Sequence, residues 1–96
     1  MQSCYYLVDN LANYGVKVTI TFCRENDKPK YNILGLYPFG VSNRTLFCFS
    51  SENEDEKTPT IYLDTLKEMN LTFDATVQVI NLIDSLKSYC MDFWGV

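Results

Sequence analysis

The chain has no histidine and no Cys-x-x-Cys pair. Without imidazole the commonest general base is missing, so Ser/His/Asp and Cys/His nucleophilic sites and His-ligated metal sites are excluded. The four cysteines, Cys4, Cys23, Cys48 and Cys90, lie far apart among apolar or aromatic neighbours. Buried free thiols are therefore favoured over a disulfide pair or a metal site. No stretch approaches the roughly 18 consecutive apolar residues that a membrane span requires. The opening MQSCYYLVDNLANYG has no positive n-region and is interrupted by Asp9 and Asn10, so it does not read as a signal peptide, and a cytoplasmic location is expected. The two Asn-x-Thr matches, at Asn43 and Asn70, then carry no consequence. Clusters of Lys and Arg are also absent. With eight basic against twelve acidic residues and a net charge of −4, direct binding to DNA, RNA or an anionic membrane is not expected, because phosphate neutralisation needs concentrated cations. An acidic chain suits a basic protein partner.

Apolar residues make up 47% of the 96 positions and aromatics 15%, which is a globular composition. A chain of this length forms one domain, residues 1–96, and buries about 60–65% of the surface of its unfolded form. The segment Leu71–Trp94 organises it. Val79, Leu82, Leu86, Cys90 and Phe93 recur at helical spacing, with Ile83 and Tyr89 beside them, giving a broad apolar stripe. Thr72 is its expected N-cap, Asp74 places a carboxylate in the first turn, and the helix is expected to end near Gly95.

Ser3 is placed to cap a first helix with Cys4, Leu7, Val8, Leu11 and Tyr14 on one side, and Gly15 to end it. Val16, Val18, Ile20 and Phe22 then alternate with Lys17, Thr19 and Thr21, the pattern of a half-buried strand. ENDKPK reads as a turn and YNILGLYPF as a second strand with apolar groups on both faces. Gly35 marks a bulge or a close approach, and Pro38 the end of pairing. RTLFCFS is a third strand, closing an antiparallel meander. IYLDTLKEM forms a short helix, with Ile61, Tyr62, Leu66 and Met69 facing inward and Asn70 closing it. There are no internal repeats. The expected fold is α+β, a three-stranded antiparallel sheet packed by helices in the order αβββαα.

Little in this frame supports catalysis. Asp64 with Glu68, or the carboxylates of Glu52–Glu56, are candidate acid/base pairs, but they lie on polar faces where nothing raises a pKa. Gly35 and Gly40 share a P-loop's glycine spacing, but Val41-Ser42 stands where that loop needs its lysine. The chain is therefore not expected to be an enzyme, and no cofactor is implied. The run SENEDEK from Ser51 is the one charged low-complexity stretch, and such runs usually serve as solvated loops. Its functional reading joins Glu52, Glu54, Asp55 and Glu56 to Glu25 and Asp27 of the first turn. The two segments follow the first and third strands, which run parallel in a meander, so one end of the sheet collects the carboxylates and steers a basic partner to it. Exposed aromatics are a second candidate contact set: Tyr5, Tyr6, Tyr31, Tyr37, Phe39, Tyr62 and Trp94 cannot all enter so small a core.

The order helix, meander, acidic run (Ser50-Ser51-Glu52-Asn53-Glu54-Asp55) and two helices resembles the small acidic anti-CRISPR proteins of phages and other mobile elements. The resemblance is to those that block a CRISPR nuclease by placing carboxylates where DNA phosphates would sit. It implies an inhibitor of a nucleic-acid-binding effector complex acting in the host cytoplasm, with Glu52, Glu54, Asp55 and Glu56 as phosphate mimics and Glu25 and Asp27 in support. The chain is more aromatic and less acidic than such proteins, which leaves an inhibitor gripping through aromatics equally compatible. Secretion-type chaperones and other dimeric host adaptors are the alternative; they also begin with a helix and three strands, but usually carry two further strands before the last helix.

Overall fold

The computed structural model describes residues 4–40, 44–51 and 60–94, apart from the side chains of Cys23 and Pro29. Its elements are α1 (Cys4–Asn13), β1 (Val16–Glu25), β2 (Lys28–Pro38), β3 (Phe47–Ser50), α2 (Leu63–Glu68) and α3 (Phe73–Trp94). The strands form one antiparallel sheet in the order β1-β2-β3, so the fold is α+β with the expected sequence of elements. Between β3 and α3 the described residues hold a helix and no strand, so the two further strands of the chaperone pattern are not among them.

The inward sheet face follows from register. Val18 pairs with Leu36, Ile20 with Leu34, and Leu34 and Leu36 pair in turn with Phe49 and Phe47. Against this face lie Leu7 and Leu11 of α1 and Val79, Ile83, Leu86 and Cys90 of α3, all buried. The opposite face carries Tyr31, Ile33 and Tyr37, half-buried and with no helix over them among the described residues.

Local signals set the element ends. Gly15 has φ +84° and stops α1, as a glycine at that position does without strain. Thr72 accepts a hydrogen bond from the backbone N–H of Ala75 at 3.1 Å, which makes it the N-cap of α3. Asn70, at φ +53°, closes α2.

Several expectations are corrected. The six-residue turn shrinks to Asn26-Asp27, both at positive φ, and Glu25 pairs directly with Lys28. That is the type I′ geometry, whose twist matches the flanking strands, so pairing continues through residues that look like loop by composition. Gly35 sits in unbroken register; the ladder shifts between Cys23 and Arg24, whose partners are Tyr31 and Pro29, leaving Lys30 as the extra residue. Gly35 marks a close approach instead, since a Cβ there would lie 2.8 Å from the Tyr37 hydroxyl. The third strand pairs only from Phe47, because Arg44 turns away to an ion pair with Glu68 of α2. Leu46 still donates to the Leu36 carbonyl at 2.8 Å, and its own carbonyl accepts from Tyr62 at 2.9 Å. Tyr62, expected inside, stands extended before α2 and is exposed, while Thr65 and Leu66 take the buried face.

The stripe of α3 also rotates. Buried positions run Val79, Ile83, Leu86 and Cys90, which continue to Trp94 rather than Phe93. Trp94 is half-buried and Phe93 is exposed.

Candidate functional site

Exposure along β1 rises steadily toward the hairpin tip: Val16 is fully buried, Val18 half-buried, Ile20 37% exposed and Phe22 62% exposed, although all four share the inward face. The cause is a mismatch of rise. Ten residues of strand span about 34 Å, whereas ten residues of helix span about 15 Å, so α1 covers only the first part of β1. The hairpin projects past the helical layer, in keeping with a molecule 44 Å long and 23 Å thick.

At that boundary the start of α1, the middle of β1 and the end of α3 enclose an open apolar groove of about 430 Å³. Tyr5, at 84% exposure, and Phe93, at 72%, stand on its two helical walls, Ile20 and Phe22 on its strand wall, and Trp94 at its end. Tyr89 stacks on Phe93 with centroids 6.3 Å apart, so the α3 wall presents two parallel rings. Cys4 and Cys90 also line it. Burial, and secondarily the neighbouring Cys4, push the Cys90 thiol up to about 11, so at neutral pH it is a thiol and not a nucleophile. The other described cysteine with an assigned environment, Cys48, is exposed on β3 rather than buried as expected. Among the described residues no three His, Cys, Asp or Glu side chains gather where they could hold a metal ion.

Of the six carboxylates expected at one end of the sheet, the structure describes two. Glu25 and Asp27 are exposed at the β1–β2 tip, where Glu25 Oε2 lies 3.3 Å from Lys30 Nζ. Arg24, Lys28 and Lys30 share that tip, so three cations meet two carboxylates there and its net charge is positive. Glu52, Glu54, Asp55 and Glu56 lie outside the described residues. The last residue of β3, Ser50, pairs with Ile33, and from there to Lys28 the hairpin runs on for about 17 Å. Residues 52–57 hold four of the twelve acidic side chains and one of the eight basic ones, which is three of the four units of net negative charge. The rest of the chain is close to neutral.

Of the aromatics singled out from composition, Tyr5 and Trp94 meet at the groove. Tyr31 and Tyr37 lie on the opposite sheet face, and Phe39 and Tyr62 are exposed elsewhere. Periodicity puts Phe22 and Phe93 on core-facing sides, and the structure makes them groove walls. The signal that finds Phe22 is the unequal reach of a strand and a helix of the same residue count. Comparison with protein-family models, curated proteins and solved structures finds no match to this chain.

Proposed function

We propose that the chain is a non-catalytic protein-binding module that acts by occupancy, as a stoichiometric inhibitor does, and that it grips its partner at the α1–β1–α3 groove. The observation that carries this is the exposure of Tyr5, Phe22 and Phe93, contributed by three different elements, around one apolar concavity. Large aromatics fixed on helices and strands lose little entropy on docking and dominate binding energy where they cluster. A partner that inserts an apolar side chain between them buries surface that otherwise faces water.

The narrower reading, a mobile-element inhibitor of a CRISPR effector or another nucleic-acid-binding protein, is supported by the concentration of negative charge in residues 52–57. On that reading the acidic run attracts the basic partner over long range and the groove supplies the close contact. The test is capture of partners by the tagged full chain, by Tyr5→Asp with Phe93→Asp, and by charge reversal at Glu52, Glu54 and Asp55. A protein retained by the native chain and lost with Tyr5→Asp/Phe93→Asp supports groove docking; equal retention by both discards it.

A further inference from the structure

We propose that the open edge of β1, from Val18 to Arg24, takes an extended segment of a partner protein as a fourth strand. The segment would carry apolar side chains toward the groove and carboxylates toward its two ends. This rests on the docking reading above and names the form of its occupant.

The backbone assigns the edge. The carbonyls of Leu36 and Asn32 accept hydrogen bonds from Leu46 at 2.8 Å and Ser51 at 2.9 Å, so these β2 residues turn their polar groups toward β3. Their partners across the other side of β2 are Val18 and Phe22, with Ile20 opposite Leu34 between them. In an antiparallel ladder a strand residue points both its N–H and its C=O to the same side, so Val18, Ile20 and Phe22 point theirs away from β2. At the near end the Gly15 carbonyl accepts from Phe39 at 2.8 Å, which keeps the same alternation. No described strand lies beyond β1, so this row of donors and acceptors has no ladder partner among the described residues. β1 contains no proline, the register shift puts its extra residue in β2, and the charges at the two ends of the stretch are Lys17 and Arg24, which a partner segment has to meet.

The open backbone and the apolar groove belong to the same residues. Ile20 and Phe22 present at the edge N–H and C=O groups with no ladder partner among the described residues, while their side chains form the groove wall. A strand laid along them places every second side chain toward Tyr5 and Phe93, so the ladder supplies affinity and the groove supplies selection. Charge selects the rest. Lys17 precedes this stretch, Arg24 ends it and Lys28 follows at the turn, and none of the three has a carboxylate partner among the described residues, whereas Glu25 is already held by Lys30. A segment with a carboxylate near each end complements them.

A second copy of the chain fits this edge less well. It would bring its own Lys17, Arg24 and Lys28 to a stretch already lined by the same cations, whereas a segment carrying carboxylates complements them.

The probe is a random library of twelve-residue peptides displayed on phage and panned against the full chain, with the enriched peptides then synthesised. The expected winners alternate apolar residues and carry Asp or Glu toward their ends. N-methylation at the alternate residues that face β1 should weaken binding at least about tenfold, and Ile20→Pro should do the same, since the Ile20 N–H faces away from β2 and its loss leaves the native ladder intact. No enrichment, apolar residues spaced by three and four, or indifference to N-methylation overturns the proposal, as does a dimer at micromolar concentration in sedimentation. N-methylated peptides keep the test decisive should Ile20→Pro fail to fold. A captured partner lost with Phe93→Asp but unaffected by Ile20→Pro, and not displaced by any selected peptide, would leave groove docking standing and remove strand addition.

Discussion

Trp94 lies flat on Phe49, ring centroids 5.9 Å apart and planes within 2°, and this contact ties the last turn of α3 to β3. It also explains why Phe93 faces outward, since adjacent helical positions are about 100° apart and only one can meet the sheet. Stacked aromatic pairs at this separation are favourable beyond their area. Trp94→Ala should therefore lower stability by about 2–3 kcal/mol, less than for a fully buried tryptophan because Trp94 is half-buried. Phe93→Ala should stay within about 0.5 kcal/mol. Urea denaturation of the two variants checks the pair; a larger loss for Phe93→Ala would mean the stripe runs as periodicity first suggests.

The hairpin turn gives a second expectation. Asn26 and Asp27 sit at φ +54° and +62°, a region costly for most side chains and free for glycine. Asn-Gly is the favoured pair for this turn, so Asp27→Gly should raise stability by about 0.5 kcal/mol, while Asp27→Val should lower it by about 1–2 kcal/mol. Thermal denaturation measures both, and a stabilising valine would contradict the type I′ assignment.

How far these features were legible depends on how local their causes are. The helix that starts at Phe73, its Thr72 cap, the Gly15 stop and the alternation of β1 are all set by neighbours in the chain, and the structure reproduces them. The two-residue turn was hidden because Lys28, Pro29 and Lys30 look like loop, yet they pair once Asn26-Asp27 turns the chain tightly. Phe22 and Phe93 were misplaced for a tertiary reason: periodicity says which face a residue occupies, and only the relative reach of α1, α3 and β1 says whether anything covers that face. Local pattern places Arg44 in the third strand because its tie to Glu68, 24 residues away, is invisible at that range. The groove is the product of such non-local effects, so no motif announces it.

Gly35 and Tyr37 offer a coupling test on the outer sheet face. An added Cβ at Gly35 would stand 2.8 Å from the Tyr37 hydroxyl and 3.1 Å from Thr19 Oγ1, so the tyrosine ring must move. The obstacle is the far end of a side chain, and Gly35→Ala should cost only about 1–2 kcal/mol. In a Tyr37→Ala background that cost should fall by more than half. Additive losses in the double-mutant cycle would show that the ring is not the obstacle.

Cys90 makes stability depend on alkaline pH. Its thiol is pushed from 9.0 to about 11, first by burial and then by Cys4, so the folded state holds its proton after the unfolded chain has released it. The contribution is fully present below pH 9 and is lost as pH rises from about 9 to 11, by at most about 2–3 kcal/mol. The readout is the difference between the native chain and Cys90→Ala, which isolates this one thiol. That difference should shrink across this window in denaturation midpoints, and a constant difference would place the Cys90 proton outside the linkage.

Salt separates the two modes by which a partner could be held. Three of the four net negative charges lie in residues 52–57, whereas the groove is walled by Tyr5, Phe22 and Phe93. Exposed charges more than about 8–10 Å apart are screened at physiological ionic strength, while apolar burial is not. If the acidic run only steers, reversing Glu52, Glu54 and Asp55 to Lys should slow association with a basic partner several-fold, mainly at low salt, and leave dissociation unchanged. If the run mimics phosphates in the bound complex, the same variant should speed dissociation as well and abolish binding at every salt concentration. Surface plasmon resonance between about 50 and 500 mM salt distinguishes them, since one Debye length shrinks from about 14 to 4 Å over that range. An affinity that ignores both the substitutions and the salt would remove the acidic run from recognition and leave the aromatic groove alone to account for it.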